Sequence, residues 1–191
     1  TGGDIGLIVG QTMGTMYTGY VLMAVPLFIF TANVMNSGKV TDAMFTFSKA
    51  LIGRRRGALA YVNVIVSLIF SGMTGSAIAD AAGIGKMEIE AMVKDGYDKP
   101  FSCAITAASA TIGPIFPPSI PFVIYAMLSG TSVGALFLGG MAPGILLAVF
   151  LSGYVWYISR KRDYPRGEKF TFVEFLKFSM KAFPALLTPV I

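Results

Sequence analysis

The chain has 191 residues, of which 54% are hydrophobic and 13% are charged, and its mean hydropathy is +0.70. Soluble domains carry about 25% charged residues, so this composition predicts an integral membrane protein in contact with a lipid bilayer. The absence of histidine and the single cysteine, Cys103, exclude a histidine-based catalytic or metal site, an intrachain disulfide and a multi-cysteine zinc site. The net charge of +5 does not indicate nucleic-acid binding, because the basic residues stand at the ends of apolar segments, where they set membrane topology.

The N-terminal unit, residues 1–56, combines a membrane segment with an amphipathic arm. Residues 5–36 form an apolar run long enough to span the bilayer, since about 20 residues suffice. Residues 39–52 place apolar side chains at helical spacing among polar ones, which predicts a helix lying along the membrane interface. Because the chain starts at Thr1 without methionine and ends at Ile191 within an apolar run, we expect it to be part of a longer polypeptide.

Charge placement predicts the topology of the remaining segments. Residues 54–56 and 160–162 are basic clusters, and the positive-inside rule places both in the cytoplasm. The unit 100–159 is predicted to hold a discontinuous transmembrane helix followed by a continuous one. Two crossings there return the chain to its starting side, so residues 57–99 should make no net crossing. The last unit, 160–191, is predicted to be a basic cytoplasmic loop, an amphipathic helix at residues 172–182 and the start of another membrane segment.

A re-entrant helical hairpin over residues 57–99 satisfies this constraint. Its apolar first limb, 58–70, has 13 residues and would reach about 20 Å, short of the roughly 30 Å hydrocarbon core. The second limb, 77–93, carries charged residues, and residues 71–76 are small and polar, as expected of a hairpin tip. Two full crossings are the alternative, which the short first limb and the charged second limb disfavour.

Two polar breaks, the tip at residues 71–76 and a proline loop at 109–121, interrupt apolar sequence. Non-helical backbone survives at membrane depth only when it is buried in protein or lines a watery cavity. Each proline removes the helical donor of the carbonyl four residues earlier, which would free the carbonyls of Ala110, Gly113, Pro114 and Pro117. Because hard cations prefer oxygen ligands, the pattern predicts a cation site. Its candidate residues are Ser71, Gly72, Thr74, Gly75, Ser76, Ser109, Ala110, Gly113 and Pro114, with Ser76, Asp80, Thr111 and Ser119 on a substrate path.

Simpler interpretations of the same residues stay open. The prolines and glycines could only kink two helices, with the hydroxyls bonding their own backbone. Asp80, the one carboxylate close to the tip, could orient the loop or favour cation entry, or it could be an acid stabilised by the dipole of the second limb.

Five stretches resemble the large membrane subunit of the tripartite ATP-independent periplasmic (TRAP) transporters. The run Phe-Ser-Gly-Met-Thr-Gly-Ser-Ala-Ile-Ala-Asp-Ala-Ala-Gly at residues 70–83 is similar to the first hairpin of that family. Residues 106–114 and 117–120 resemble its discontinuous helix, and residues 61–64 and 134–138 also fit. The resemblance covers nearly all of the chain, as a fragment corresponding to roughly the first structural repeat of a subunit about twice as long.

The resemblance implies an all-α, elevator-type ion transporter half and a sodium-coupled symporter in the bacterial inner membrane. Na⁺ would be the coupling ion, held between the hairpin tip and the break at residues 109–114. A small TRAP membrane subunit and a periplasmic substrate-binding protein would be the partners, and the substrate would be an organic acid anion of the C4-dicarboxylate or sialic acid type. The residues themselves offer no nucleophile–base pair, so an enzyme is not expected. A non-transporting membrane scaffold or partner subunit is the alternative.

Overall fold

The computed structural model describes residues 40–167 and 171–187, together with residues 6, 7, 9, 10, 14, 26, 27 and 30. At residues 71–74 the description covers the backbone alone. The predicted membrane helix at residues 5–36 therefore lies largely outside the described residues, as does the end of the last predicted segment.

The described ranges are helical and contain no β-strand, which confirms the all-α prediction. The helices are α1 (Val40–Ile52), α2 (Ala58–Thr74), α3 (Ala77–Ala82), α4 (Ile84–Lys94), α5 (Lys99–Ala110), α6 (Ile120–Ser129), α7 (Val133–Lys161) and α8 (Phe172–Leu187).

Helix α2 lies at the centre of the fold and is covered on two sides. On one side, Ala60 and Val64 join a core with residues of α5 and α7. On the other side, Val62, Val66 and Phe70 pack with Met44 of α1 and with the first residue of α4. A helix that is apolar around its whole circumference is a buried helix, and this double packing explains why α2 carries so few polar residues.

The hairpin is present, but its bounds differ from the prediction. Helix α2 continues through Thr74, so the break is confined to Gly75 and Ser76 instead of spanning residues 71–76. A glycine such as Gly72 costs a packed helix about 1 kcal/mol and does not end it. Gly75 does end it, because its φ of +56° is left-handed. With 17 residues, α2 is about 25 Å long and still shorter than the hydrocarbon core.

The second limb is two helices, α3 and α4, divided at Gly83, where one helix was predicted. Gly83 has φ −81° and ψ −93°, outside the helical region, and its N–H closes α3 on the Ala79 carbonyl. Next to the division, a β-carbon on Gly85 would lie 2.7 Å from Thr106 Cγ2. The missing side chain at Gly85 therefore lets α4 approach α5 closely. Insertion of the hairpin into the membrane without crossing stays a prediction.

Helix α7 is the one described helix that is long and apolar enough to cross a membrane, with a mean hydropathy of 2.1 in its best window. Its 29 residues extend about 43 Å, more than a hydrocarbon core requires. Two glycines one turn apart, Gly140 and Gly144, face Ile115 and Phe116 so closely that a side chain at either glycine would collide with them. Small residues at this spacing let membrane helices approach at backbone distance.

Polar contacts join the start of α5 to the end of α7. The Asp98 carboxylate accepts hydrogen bonds from the Tyr164 hydroxyl (2.8 Å) and from the Arg162 guanidinium (2.6 Å). These two hydrogen bonds lower the pKa of Asp98, and the bond from Tyr164 has the larger effect. Arg56 and Arg166 form a backbone bridge that brings the start of α2 to the same end. The segments that charge placement puts on one side of the membrane thus lie together, and the identity of that side stays a prediction.

The two amphipathic helices pack against each other. Helix α1 agrees with the predicted arm to within one residue, and it buries Met44 and Ser48. Phe47 of α1 stacks on Phe175 of α8 with 6.0 Å between ring centroids. Helix α8 runs without interruption from Phe172 to Leu187, so the predicted segment from residue 183 continues this helix, and its entry into the membrane stays a prediction. The interfacial position of α1 stays a prediction.

Candidate functional site

The hairpin tip and the proline loop are in direct contact at two glycines. A β-carbon on Gly75 would lie 2.8 Å from the Ile120 nitrogen and 3.0 Å from the Pro118 carbonyl oxygen. A β-carbon on Gly113 would lie 3.3 Å from the Ser76 carbonyl carbon and 3.4 Å from the Ala77 nitrogen. Each loop therefore presents a glycine to the backbone of the other. The two breaks that the sequence set apart form one site.

At the tip, Ser76 caps the N-terminus of α3. Its hydroxyl oxygen accepts a long hydrogen bond, 3.4 Å, from the Ala79 N–H, and its backbone is extended. The predicted residues Ser71, Gly72 and Thr74 belong to the last turn of α2, one turn or less from the break. The chain thus passes from the C-terminal end of one helix to the N-terminal end of the next through Gly75 and Ser76 alone.

The proline loop rearranges its carbonyls more than the sequence suggests. The prediction of a free carbonyl is wrong at two positions. The Ala110 carbonyl accepts a hydrogen bond from the Gly113 N–H at 3.1 Å, and the Pro114 carbonyl accepts one from the Ser119 hydroxyl at 2.6 Å. Helix α5 ends in a tight turn that supplies a new backbone donor, and Ser119 provides a side-chain one. Of the four expected carbonyls, those of Gly113 and Pro117 remain as candidates for a free oxygen, and each paired carbonyl keeps a second lone pair.

A buried hydrogen-bond network lies beneath the two loops, and Asn63 of α2 is its centre. Asn63 Nδ2 donates to Glu88 Oε2 (2.8 Å) and to Thr106 Oγ1 (2.7 Å). Asn63 Oδ1 accepts from the Ser109 hydroxyl at 2.7 Å. Ser67, one turn along α2, donates to Ser109 Oγ at 3.1 Å. The network joins α2, α4 and α5, and each of its members is 3% exposed or less.

Two carboxyl groups, Glu88 within this network and Asp80 beside it, each keep one oxygen without a described partner. Asp80 of α3 is 2% exposed, and its Oδ2 is the unpaired atom. Glu88 is also 2% exposed, and its Oε1 has no described partner while Oε2 accepts from Asn63. A buried oxygen without a donor costs free energy, so these atoms are candidate points for a bound cation or proton.

The two remaining substrate-path residues use their hydroxyls locally. Thr111 is exposed, and its hydroxyl donates to the Ala108 carbonyl at 2.6 Å, one turn back in its own helix end. Ser119 is fully buried and caps α6, accepting from the Phe122 N–H at 3.3 Å. The structure therefore brings Ser76, Asp80 and Ser109 into the neighbourhood of the tip and the network. The Thr111 hydroxyl instead bonds the backbone of its own helix end, as expected of a residue at a helix kink.

Sequence reasoning missed Asn63, Ser67, Glu88 and Thr106. The available signal was an amide and a hydroxyl, one turn apart, on an otherwise apolar segment that is too short to span the membrane. Polar groups within membrane segments face the protein interior and seek partners. Spacing within α2 could have identified Asn63 and Ser67, but their pairing with Glu88 and Thr106 depends on how three separate helices pack.

The donor set fits a hard cation better than a transition metal. It consists of backbone carbonyls and hydroxyl oxygens, with the Asp80 carboxyl group alongside, and hard monovalent and divalent cations prefer such oxygen ligands. The glycines at positions 75 and 113 let the backbones of the two loops approach closely, which brings their carbonyl groups near one another.

Comparison with known proteins identifies the family. The family model for the DctM component of the tripartite ATP-independent periplasmic transporters matches residues 3–191. The chain is 46% identical over 172 residues to the sialic acid TRAP transporter large permease protein SiaM of Vibrio cholerae, which covers 90% of this chain and 40% of that protein. It is 44% identical to the sialic acid TRAP transporter permease protein SiaT of Haemophilus influenzae, over 89% of this chain and 28% of that protein.

A relative named for another substrate is more distant. The C4-dicarboxylate TRAP transporter large permease protein DctM of Vibrio cholerae is 35% identical over 96% of this chain and 41% of that protein. The chain thus spans less than half the length of these relatives. Since the family model covers almost every residue, this chain belongs to the DctM component family of TRAP transporters.

Proposed function

We propose that the protein containing this chain is the large membrane subunit of a sodium-coupled secondary transporter that moves organic acid anions across the bacterial inner membrane. The observation that carries the proposal is the glycine contact at Gly75 and Gly113, which joins the two broken segments above a buried polar network. Paired helix breaks near the bilayer midplane are where secondary transporters bind ions and substrate. Family membership supports transport over the alternative of a non-transporting scaffold.

Sodium binding is assigned to the oxygens that meet between the tip and the proline loop. The candidate ligands are backbone carbonyls near Gly75 and Gly113 and the hydroxyls of Ser76 and Ser109. When bound, the ion would supply a positive charge that favours an anionic substrate nearby and links uptake to the sodium gradient. Asp80, with its unpaired buried oxygen, offsets that charge.

The substrate class follows from the relatives' names, which specify sialic acid and C4-dicarboxylates. Higher identity to the two sialic acid permeases favours a sugar acid, and the remainder of the full-length protein would complete its binding site. We further propose a multi-pass inner-membrane location, a small TRAP membrane subunit as partner and a periplasmic substrate-binding protein that delivers the anion. In an elevator mechanism, the hairpin and the broken helix would move together as part of the transport domain.

The test is sodium-dependent uptake by the full-length subunit with its small subunit in proteoliposomes, supplied with sialic acid on the binding protein. Ser76→Ala and Ser109→Ala each remove one oxygen ligand. A hydrogen bond or contact to a charged group is worth roughly 1.5–3 kcal/mol, so the sodium concentration for half-maximal uptake should rise about 10- to 150-fold.

Ser129→Ala is the matched control, because it removes a hydroxyl that bonds the Tyr125 carbonyl at the exposed end of α6. It should keep the parent sodium dependence. If both site variants also keep that dependence while folding normally, the loops are kinks and the sodium assignment is wrong. Uptake that is absent with every substrate and at every sodium concentration would favour the scaffold.

A further inference from the structure

A second polar region lies at the opposite end of α2 from the hairpin tip. A cleft of about 300 Å³ opens between the start of α2 and the end of α7. Its lining residues are Arg55, Arg56, Tyr61, Trp156, Ser159 and Arg160. A shallower depression of about 530 Å³ shares Arg56 and Arg160 and adds Arg54 and Arg166. Two segments distant in sequence thus direct five arginines to one place.

The cations in this region outnumber the anions that neutralise them. Among the described residues, the carboxylate ion-paired with these arginines is that of Asp163, which lies 2.7 Å from Arg56. Like charges brought together repel one another, yet the backbone fixes this convergence. The Gly57 N–H donates to the Pro165 carbonyl (2.9 Å), and the Gly167 N–H donates to the Arg55 carbonyl (3.1 Å). The basic segments are therefore held together by backbone bonds, and the site has the charge of an anion receptor.

An arginine held over an aromatic ring faces the same cleft. Arg160 lies over the Trp156 ring at 4.3 Å from the centroid, which positions the guanidinium at the cleft. Guanidinium groups fixed in this way match the oxygens of a phosphate. Ser159 also lines the cleft, but its Oγ is buried against Gly57.

The surroundings of the cleft decide which phosphate it would take. Trp156 and Tyr157 are both more than half exposed, and such aromatic rings mark the level of lipid headgroups. Directly beyond them, α7 exposes a continuous apolar face that includes Leu146, Val149 and Phe150. A headgroup in the cleft would therefore have its acyl chains against α7.

We propose that this cleft binds the phosphate of an anionic phospholipid such as phosphatidylglycerol, with Arg55, Arg56 and Arg160 as its principal contacts. The bound lipid links the segment before α2 to the last turn of α7 and holds the base of the hairpin in place. The proposal concerns the end of the fold away from the ion site and does not depend on sodium coupling.

The test uses the full-length subunit with its small subunit in a neutral detergent, with native mass spectrometry and thermal unfolding as readouts. Phosphatidylglycerol should bind and stabilise the parent complex, whereas phosphatidylcholine and inorganic phosphate at equal concentration should not. Basic residues near a membrane surface each add to the binding free energy for anionic lipid. The double variant Arg55→Gln/Arg160→Gln removes two of them and should bind phosphatidylglycerol about 30-fold more weakly.

Lys94→Gln/Lys161→Gln is the matched control, since it removes two exposed charges at helix ends outside the cleft. It should retain parental lipid affinity. Equal weakening by the two double variants would reduce the effect to net charge and overturn the proposal. Stabilisation by inorganic phosphate equal to that by phosphatidylglycerol would also overturn it.

Discussion

Replacing Asn63 by alanine should destabilise the protein more than any comparable truncation on the same helix. The variant loses three side-chain hydrogen bonds, to Glu88, Thr106 and Ser109. Such bonds average about 0.6 kcal/mol within membrane proteins, so their loss amounts to about 2 kcal/mol. Leaving the buried Glu88 oxygen without its donor adds about 1–3 kcal/mol, for a total of about 3–5 kcal/mol. The measurement is equilibrium unfolding of the full-length subunit in mixed micelles with increasing SDS.

Val62→Ala is the control, because the neighbouring side chain is fully buried in an apolar cluster. It should cost about 1.6 kcal/mol for two lost methyl groups at about 0.8 kcal/mol each. The double variant Asn63→Ala/Glu88→Leu should recover part of the loss, since the unpaired carboxyl is then gone. If Asn63→Ala costs no more than Val62→Ala, or if the double variant is worse than the sum of its parts, the network does not hold α2, α4 and α5 together.

Three further predictions concern local geometry. Gly75→Ala should lower the free energy of unfolding by at least 1–3 kcal/mol, because its φ of +56° is unfavourable for alanine and the backbone of the proline loop fills the space for a β-carbon. Gly153→Ala in α7, where a β-carbon would have no neighbour within 4 Å, should be close to neutral in the same SDS titration. Asp98→Asn should lower the stability of the protein at pH 7 but match the parent at a pH below the folded-state pKa of Asp98. The reason is that this pKa is lowered in the folded protein, so the stability that the carboxylate contributes is lost as the pH falls through it. Thermal unfolding at both pH values is the measurement, and a stability difference that persisted in acid would disprove the prediction. Gly144→Leu should separate α7 from Phe116 and abolish folding of the subunit, as seen in the monodisperse fraction on gel filtration, and a normal yield would contradict the close packing.

Length and charge predict two limbs joined by a short polar break, and the structure has helices on both sides of Gly75 and Ser76. The first limb was too short to span, and the basic clusters required residues 57–99 to return to their starting side. Those are one-dimensional properties, which a sequence displays directly. The helix ends were less accessible, because Gly72 looks like a breaker in isolation but lies in a helix packed on two sides, whose tertiary contacts outweigh the propensity of one residue.

The site could be predicted as a meeting of two loops but not in its hydrogen bonds. Proline chemistry correctly identified an irregular loop, yet it could not anticipate that Ser119 would return to the Pro114 carbonyl or that α5 would end in a tight turn. The pairing of Asn63 with Glu88 spans 25 positions and crosses between helices. Periodicity describes one helix at a time, so it identifies the faces of a helix and not the partners they meet.

The reciprocal glycine contacts at positions 75 and 113 determine where movement in this protein can be measured. Two backbones in contact, with no room for a β-carbon between them, are expected to move as one rigid body, because close-packed interiors do not deform gradually. A pair of spectroscopic labels or a cross-link placed across this contact would keep the same separation at every stage of a working cycle. The separation across this contact is therefore an internal reference distance. Changes in the distance from the tip to α1 or α8, compared with it, would report displacement of the hairpin.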